Sequence, residues 1–149
     1  MGKSLLYCFI VTVIIMMSAV ASAAGDFGVQ SYPGARSDAE TQSVCEASEM
    51  GIMKEREEKS GLIKTKRCYR TNDYLGKVVD FYKKQKGLKR GIAVDEPSIK
   101  SASFCLSETG VCHEESVGTL IDISAPWIVP DKTMANNDLL IVITTRVKK

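Results

Sequence analysis

The chain has 149 residues, with 20 basic and 18 acidic side chains, a single histidine and a formal net charge of +2. A balance so close to zero leaves no electrostatic footprint for nucleic acid, and the length suits one domain of ordinary size. Both signs of charge occur in short tracts, Lys64 to Arg70 and Lys83 to Arg90 against Glu55 to Glu58 and Glu114-Glu115, which read as solvated faces.

The first residues, Met1-Gly2-Lys3-Ser4, carry one positive charge, and Leu5 to Met17 is then apolar apart from Thr12. Ala21 and Ala23 follow at the −3 and −1 spacing that a signal peptidase accepts, so the expected cut is after Ala23. The apolar run is shorter than the roughly 20 residues that a membrane span needs, and no membrane contact is expected after cleavage. A retained anchor is the alternative. Removing residues 1–23 leaves 126, an expected flexible mature N-terminus at 24–31 and a single α+β domain at 32–149. This predicts a periplasmic or secreted location.

Tyr32-Pro33-Gly34-Ala35 sets a turn. The Ser37 and Glu40 pair reads as a capping box, with a helix from Asp38 to about Met50. Leu62 to Thr71 shifts to period two, predicting a strand with Tyr69 on one side and Cys68 on the other. Three successive capping residues, Thr71-Asn72-Asp73, precede the clearest helix, Asn72 to Lys86, in which Tyr74, Leu75, Val78, Val79, Phe81 and Tyr82 recur at helical spacing. Gly87 suits the left-handed position beyond it.

Past Gly91 and Pro97, Ile99 to Leu106 and Val111 to Glu114 are expected to form a hairpin, followed by a strand at Gly118 to Ser124. Ala125-Pro126-Trp127 breaks that run. Leu139 to Thr145 is the most β-prone segment and is expected centrally in the sheet. The expected fold is α+β: a mostly antiparallel sheet of four or five strands, one main helix packed on a face, and a shorter N-terminal helix.

Cys8 leaves with the leader, so Cys45, Cys68, Cys105 and Cys112 remain, and an even number in an oxidising compartment predicts two disulfides. Of the three pairings, Cys105 with Cys112 and Cys45 with Cys68 is favoured, because Glu108-Thr109-Gly110 can turn a hairpin between the former pair.

No catalytic residue, metal ligand or cofactor is assigned. Cys112-His113 invites comparison with a covalent haem site, but six residues separate the cysteines where two are usual. No C-x-x-C pair supports a thiol-disulfide catalyst and no compact ligand spacing supports zinc. His113 is the sole imidazole for a hydrolase, and no Gly-x-Ser-x-Gly turn or phosphate-binding glycine loop is present.

The aromatic residues favour binding. Tyr74, Tyr82 and Trp127 are the candidate contacts for a small apolar ligand in a groove between helix and sheet, or for a protein partner. Trp127 is the candidate for a partly exposed contact, against the alternative that it caps the open end of the core.

Tyr32-Pro33-Gly34-Ala35, Cys68-Tyr69-Arg70-Thr71-Asn72-Asp73, Lys77-Val78-Val79-Asp80-Phe81-Tyr82-Lys83-Lys84-Gln85 with Gly87-Leu88, and Pro126-Trp127 together resemble a group of small exported bacterial proteins without an assigned activity. The resemblance spans most of the mature chain. It implies a periplasmic or secreted bacterial location and transfers no catalytic residue. The functional expectation is a non-enzymatic binding domain, with a hydrolase, a redox enzyme or a structural envelope component as alternatives.

Overall fold

The computed structural model describes residues 28–47, 61–110, 117–130 and 132–149. The expected leader with its cleavage point, Cys112 and His113 lie outside these residues. So do the expected end of the first helix at Met50 and the second strand of the hairpin expected at Val111 to Glu114. In chain order the elements are α1 (Ala39–Ala47), β1 (Leu62–Thr71), α2 (Leu75–Lys83), β2 (Lys89–Asp95), β3 (Lys100–Leu106), β4 (Gly118–Ala125), β5 (Trp127–Ile128), β6 (Ala135–Asn136) and β7 (Leu139–Lys148). The fold is α+β. Five strands form one antiparallel sheet in the order β1-β7-β4-β3-β2, and β5 pairs with β6 in a separate two-stranded ribbon.

The β-branched run of β7 takes an interior place, flanked by β1 and β4, where both edges of its backbone are paired. Directly opposed residues of an antiparallel pair share a face. The register therefore aligns Tyr69 with Ile141, Ile141 with Ile123, Ile143 with Ile121, and Ile121 with Phe104 on one side of the sheet. Val78 and Tyr82 of α2 join that layer, and all but the partly buried Tyr69 are at most 1 % exposed. Burial of an isoleucine or phenylalanine contributes about 1.5 to 3 kcal/mol, so this layer is the main source of stability.

The alternate residues of the same strands face the other way. Cys68 opposes Val142 and Arg70 opposes Leu140, and on this side Cys45, Cys68, Trp127, Val129 and Leu140 form a smaller buried cluster. The Cys45–Cys68 disulfide, with Cα atoms 5.9 Å apart, fastens α1 to β1. Cys105 is also disulfide-bonded, and its expected partner Cys112 lies outside the described residues.

Four expectations are corrected. The cap of α1 is one residue later than expected: the Thr41 amide donates to Asp38 Oδ1 at 3.0 Å and the Asp38 amide donates to Thr41 Oγ1 at 2.9 Å. Glu40 is drawn instead to Arg70 and Lys132, and Ser37 accepts from the Gln42 side chain. Helix α2 begins at Leu75 rather than Asn72, because the Asp73 carboxylate is taken up elsewhere and Tyr74 occupies the cap in an extended conformation.

The segment around Gly91, expected to be only a passage, is the edge strand β2. Its register shifts between Arg90 and Ala93, and a Cβ on Gly91 would lie 2.2 Å from Ser103 Oγ, so a larger residue there would have to displace that hydroxyl. A broken alternation of this kind hides a strand from periodicity. Finally, residues 28–31 belong to the packed domain: Val29 is 2 % exposed, and Gln30 exchanges two hydrogen bonds with the Gln85 side chain, at 2.8 and 3.0 Å.

Candidate functional site

Helix α2 buries Leu75, Val78, Val79 and Tyr82, at the i, i+3, i+4 and i+7 spacing of one helical face. Its outward stripe carries Tyr74, Lys77, Phe81 and Lys84, and that stripe lines an open depression of about 460 Å³. The opposite wall is the turn Tyr32-Pro33-Gly34, with Asp73 and Asp80 completing the rim.

The turn is fixed in place by three sets of bonds. The Ala35 amide donates to the Tyr32 carbonyl at 3.0 Å, which closes the turn. Arg36 and Arg70 then exchange backbone hydrogen bonds at 3.0 and 2.8 Å, hanging the turn on the end of β1. Lastly, the Tyr32 hydroxyl donates to Asp73 Oδ2 at 2.5 Å, and the Tyr32 ring meets Phe81 edge-on with centroids 5.4 Å apart. Gly34 sits so close to this junction that a Cβ there would lie 3.2 Å from Asp73 Oδ2 and 3.3 Å from the Tyr32 ring.

Asp73 also accepts from Lys77 Nζ, at 3.0 Å to each carboxylate oxygen. These donors, Tyr32 first and Lys77 second, hold the Asp73 carboxyl below its ordinary pKa. Burial, reinforced by the neighbouring carboxylate, pushes the Tyr32 phenol up. Asp73 thus stays ionised and Tyr32 protonated around neutral pH, a pairing that clamps two elements rather than one poised to pass a proton.

Of the three sequence-predicted contact residues, only Tyr74 reaches this place. It is 70 % exposed, and the Cδ2–Cε2 side of its ring lies against Gly76, where a Cβ would come within 3.3 Å of it. Tyr82 is fully buried beneath the helix, its ring 5.7 Å from Phe104, so it is a core residue and the expected groove between helix and sheet is filled. Trp127 is buried on the far side of the sheet and is corrected from contact to core: its Nε1 donates to the carbonyl and to Oδ1 of Asp138 at 3.1 and 3.0 Å. The Arg70 guanidinium lies 5.3 Å over the Trp127 ring.

Arg70 centres a second polar cluster. Its Nε donates to Asp138 Oδ2 at 2.7 Å and its Nη1 to Glu40 Oε2 at 2.9 Å. Burial opposes the charge, but these carboxylates outweigh it and raise the Arg70 pKa further. Glu40 is held below its ordinary pKa by Lys132 first and Arg70 second, and Asp38 by the Thr41 amide first. With the charges mutually satisfied, this cluster ties α1, β1 and the turn before β7 together.

No family model, curated protein or solved structure matches this chain. Among the described residues, no helix is long and apolar enough to cross a membrane, and no group of three or more histidine, cysteine, aspartate or glutamate side chains is placed to hold a metal. The Cys45–Cys68 bridge is compatible with an oxidising compartment.

Sequence reasoning missed Tyr32, Lys77, Phe81 and Lys84 as neighbours of Tyr74. The signal that could have found them is phase: Tyr74 and Phe81 fall one position off the buried stripe of α2, which leaves Tyr74 exposed and Phe81 at the edge of the core, only partly buried against it.

Proposed function

We propose that this protein is an exported, non-enzymatic binding domain of the periplasm or extracellular space, whose contacts are made at the depression between the Tyr32–Gly34 turn and α2. The observation that carries this reading is the exposed Tyr74 ring, 70 % accessible and seated on Gly76 at the mouth of that depression. A tyrosine presents a large, stiff, amphipathic contact surface at small entropic cost, and such residues concentrate where proteins touch ligands. The rigid walls add support, because a site whose geometry is set before binding loses less entropy when occupied.

Export is supported by the apolar leader sequence with its Ala21 and Ala23 spacing, and it accords with bridged cysteines. The resemblance to small exported bacterial proteins points the same way.

A fragment screen by ¹H–¹⁵N correlation NMR on the purified protein tests the site. Hits are expected to shift the amides of Tyr74, Lys77 and Phe81 and to lose affinity in Tyr74→Ala. Hits that gather elsewhere and leave these amides still would overturn the reading. Intact mass of protein recovered from the exported fraction checks the compartment, with cleavage after Ala23 expected.

A further inference from the structure

We infer that the depression takes a pyranose ring of a neutral glycan, an inference that rests on the binding reading above. Three features of the site lead to that chemistry. The first is Tyr74, whose exposed ring carries the negative π face that attracts weakly positive groups. The C–H groups on one side of a pyranose form such a surface, flat and matched in size to a phenol ring.

The second is charge. Lining the depression are Asp73 and Asp80 against Lys77 and Lys84, a formal sum of zero. Asp73 is engaged by Lys77, Asp80 lies 3.5 Å from Lys83, and Lys84 makes no ion pair among the described residues. Such a rim gives no net pull to an anion or a cation, but it sets carboxylate acceptors beside ammonium donors. Vicinal hydroxyl groups, each able to donate and accept, match that alternation.

The third is openness. A site for a small apolar molecule buries about 70 to 90 % of its ligand. This depression is open to solvent and has four charged side chains in its lining, so a molecule bound there stays in contact with water. An open depression leaves a bound unit free to be part of a longer chain, as in a polysaccharide.

The test is an NMR titration of the purified protein with chitotetraose, cellotetraose and maltotetraose, alongside tetragalacturonate as an anionic control. At least one neutral tetrasaccharide is expected to shift the amides of Tyr74, Gly76 and Lys84 saturably, with affinity falling about tenfold in Tyr74→Ala. Gly76→Ala is expected to weaken the same binding severalfold by displacing the ring, while thermal unfolding stays at or above the parent midpoint because alanine favours the helix. If only tetragalacturonate binds, or if fragments from the screen occupy the depression and none of the three neutral glycans does, the glycan inference is wrong and the binding reading stands. If nothing perturbs these amides, both fall.

Discussion

The Tyr32 hydroxyl donates to Asp73 Oδ2 at 2.5 Å across 41 residues of sequence, joining the first turn of the domain to the start of α2. Because the same carboxylate holds Lys77, one group fixes both walls of the candidate site. Tyr32→Phe keeps the ring packed on Phe81 and removes only the hydroxyl. The expected loss is about 1.5 kcal/mol, the lower end for a bond to a charged group, since water can replace the donor on the partly exposed Asp73. Urea unfolding measures it, and an unchanged midpoint would show that the bond contributes nothing net.

Stability should fall on the acid side through identifiable carboxylates. Asp73, Asp38 and Glu40 all have folded pKa values below their ordinary ones, so the folded state binds their protons less readily than the unfolded chain. Their contribution is complete above about pH 4.5 and is lost as pH falls through the lowered folded values. Urea midpoints from pH 7 to pH 2.5 should therefore decline below about pH 4.5, and less steeply in Asp73→Asn. At the alkaline end the sign reverses. The raised Tyr32 and Lys77 values mean that stability holds below about pH 10 and drops as pH rises through the folded values.

Reduction of the Cys45–Cys68 bridge should leave the fold recognisable and weaker. The bridge closes a loop of sequence separation 23, for which the chain-entropy account gives about 3 kcal/mol. The double variant Cys45→Ala, Cys68→Ala removes that constraint and the two buried sulfur atoms of the smaller cluster, so a loss of about 3 to 5 kcal/mol is expected. Guanidinium unfolding of the variant against the parent provides the comparison. A loss below 1 kcal/mol would mean that α1 is held by its contacts alone.

Trp127 is the sole tryptophan, which makes fluorescence a direct report on its burial. Emission should be blue-shifted and weakly quenched by acrylamide in the folded protein, and should move red on unfolding. Trp127→Phe removes the bond to Asp138 and is expected to cost about 1 to 2 kcal/mol. Ligand affinity at the Tyr74 depression should be unchanged in that variant, because Trp127 lies across the sheet. A binding defect without a stability defect would return Trp127 to the contact surface.

Much of the architecture was legible from local patterns. Leu62–Thr71 alternates and forms β1 over that span, Leu139 to Thr145 is β-prone and lies within the interior strand β7, and Gly87 has the positive φ of 86° expected beyond a helix. Period-two and period-3.6 burial, together with turn chemistry, are properties of neighbouring residues, so a sequence exposes them directly. The strand at Lys89–Asp95 escaped notice because its bulge at Gly91 interrupts the alternation, and only pairing with β3 makes it a strand.

The candidate site was much less accessible, since its parts meet only through long-range pairing. Composition marked Tyr74, Tyr82 and Trp127 alike as aromatic. Tyr74 and Tyr82 share one helix and are separated by its phase, which buries Tyr82 and leaves Tyr74 outside, whereas Trp127 is buried by the smaller cluster around Cys45 and Cys68 on the other face of the sheet. The amino-acid order by itself determined β1, β3, β4 and β7, the main helix and the turn at Tyr32. Only the tertiary structure brought that turn against α2 beside Tyr74 and buried Trp127, because contacts between distant segments follow from register and packing and leave no local periodic trace.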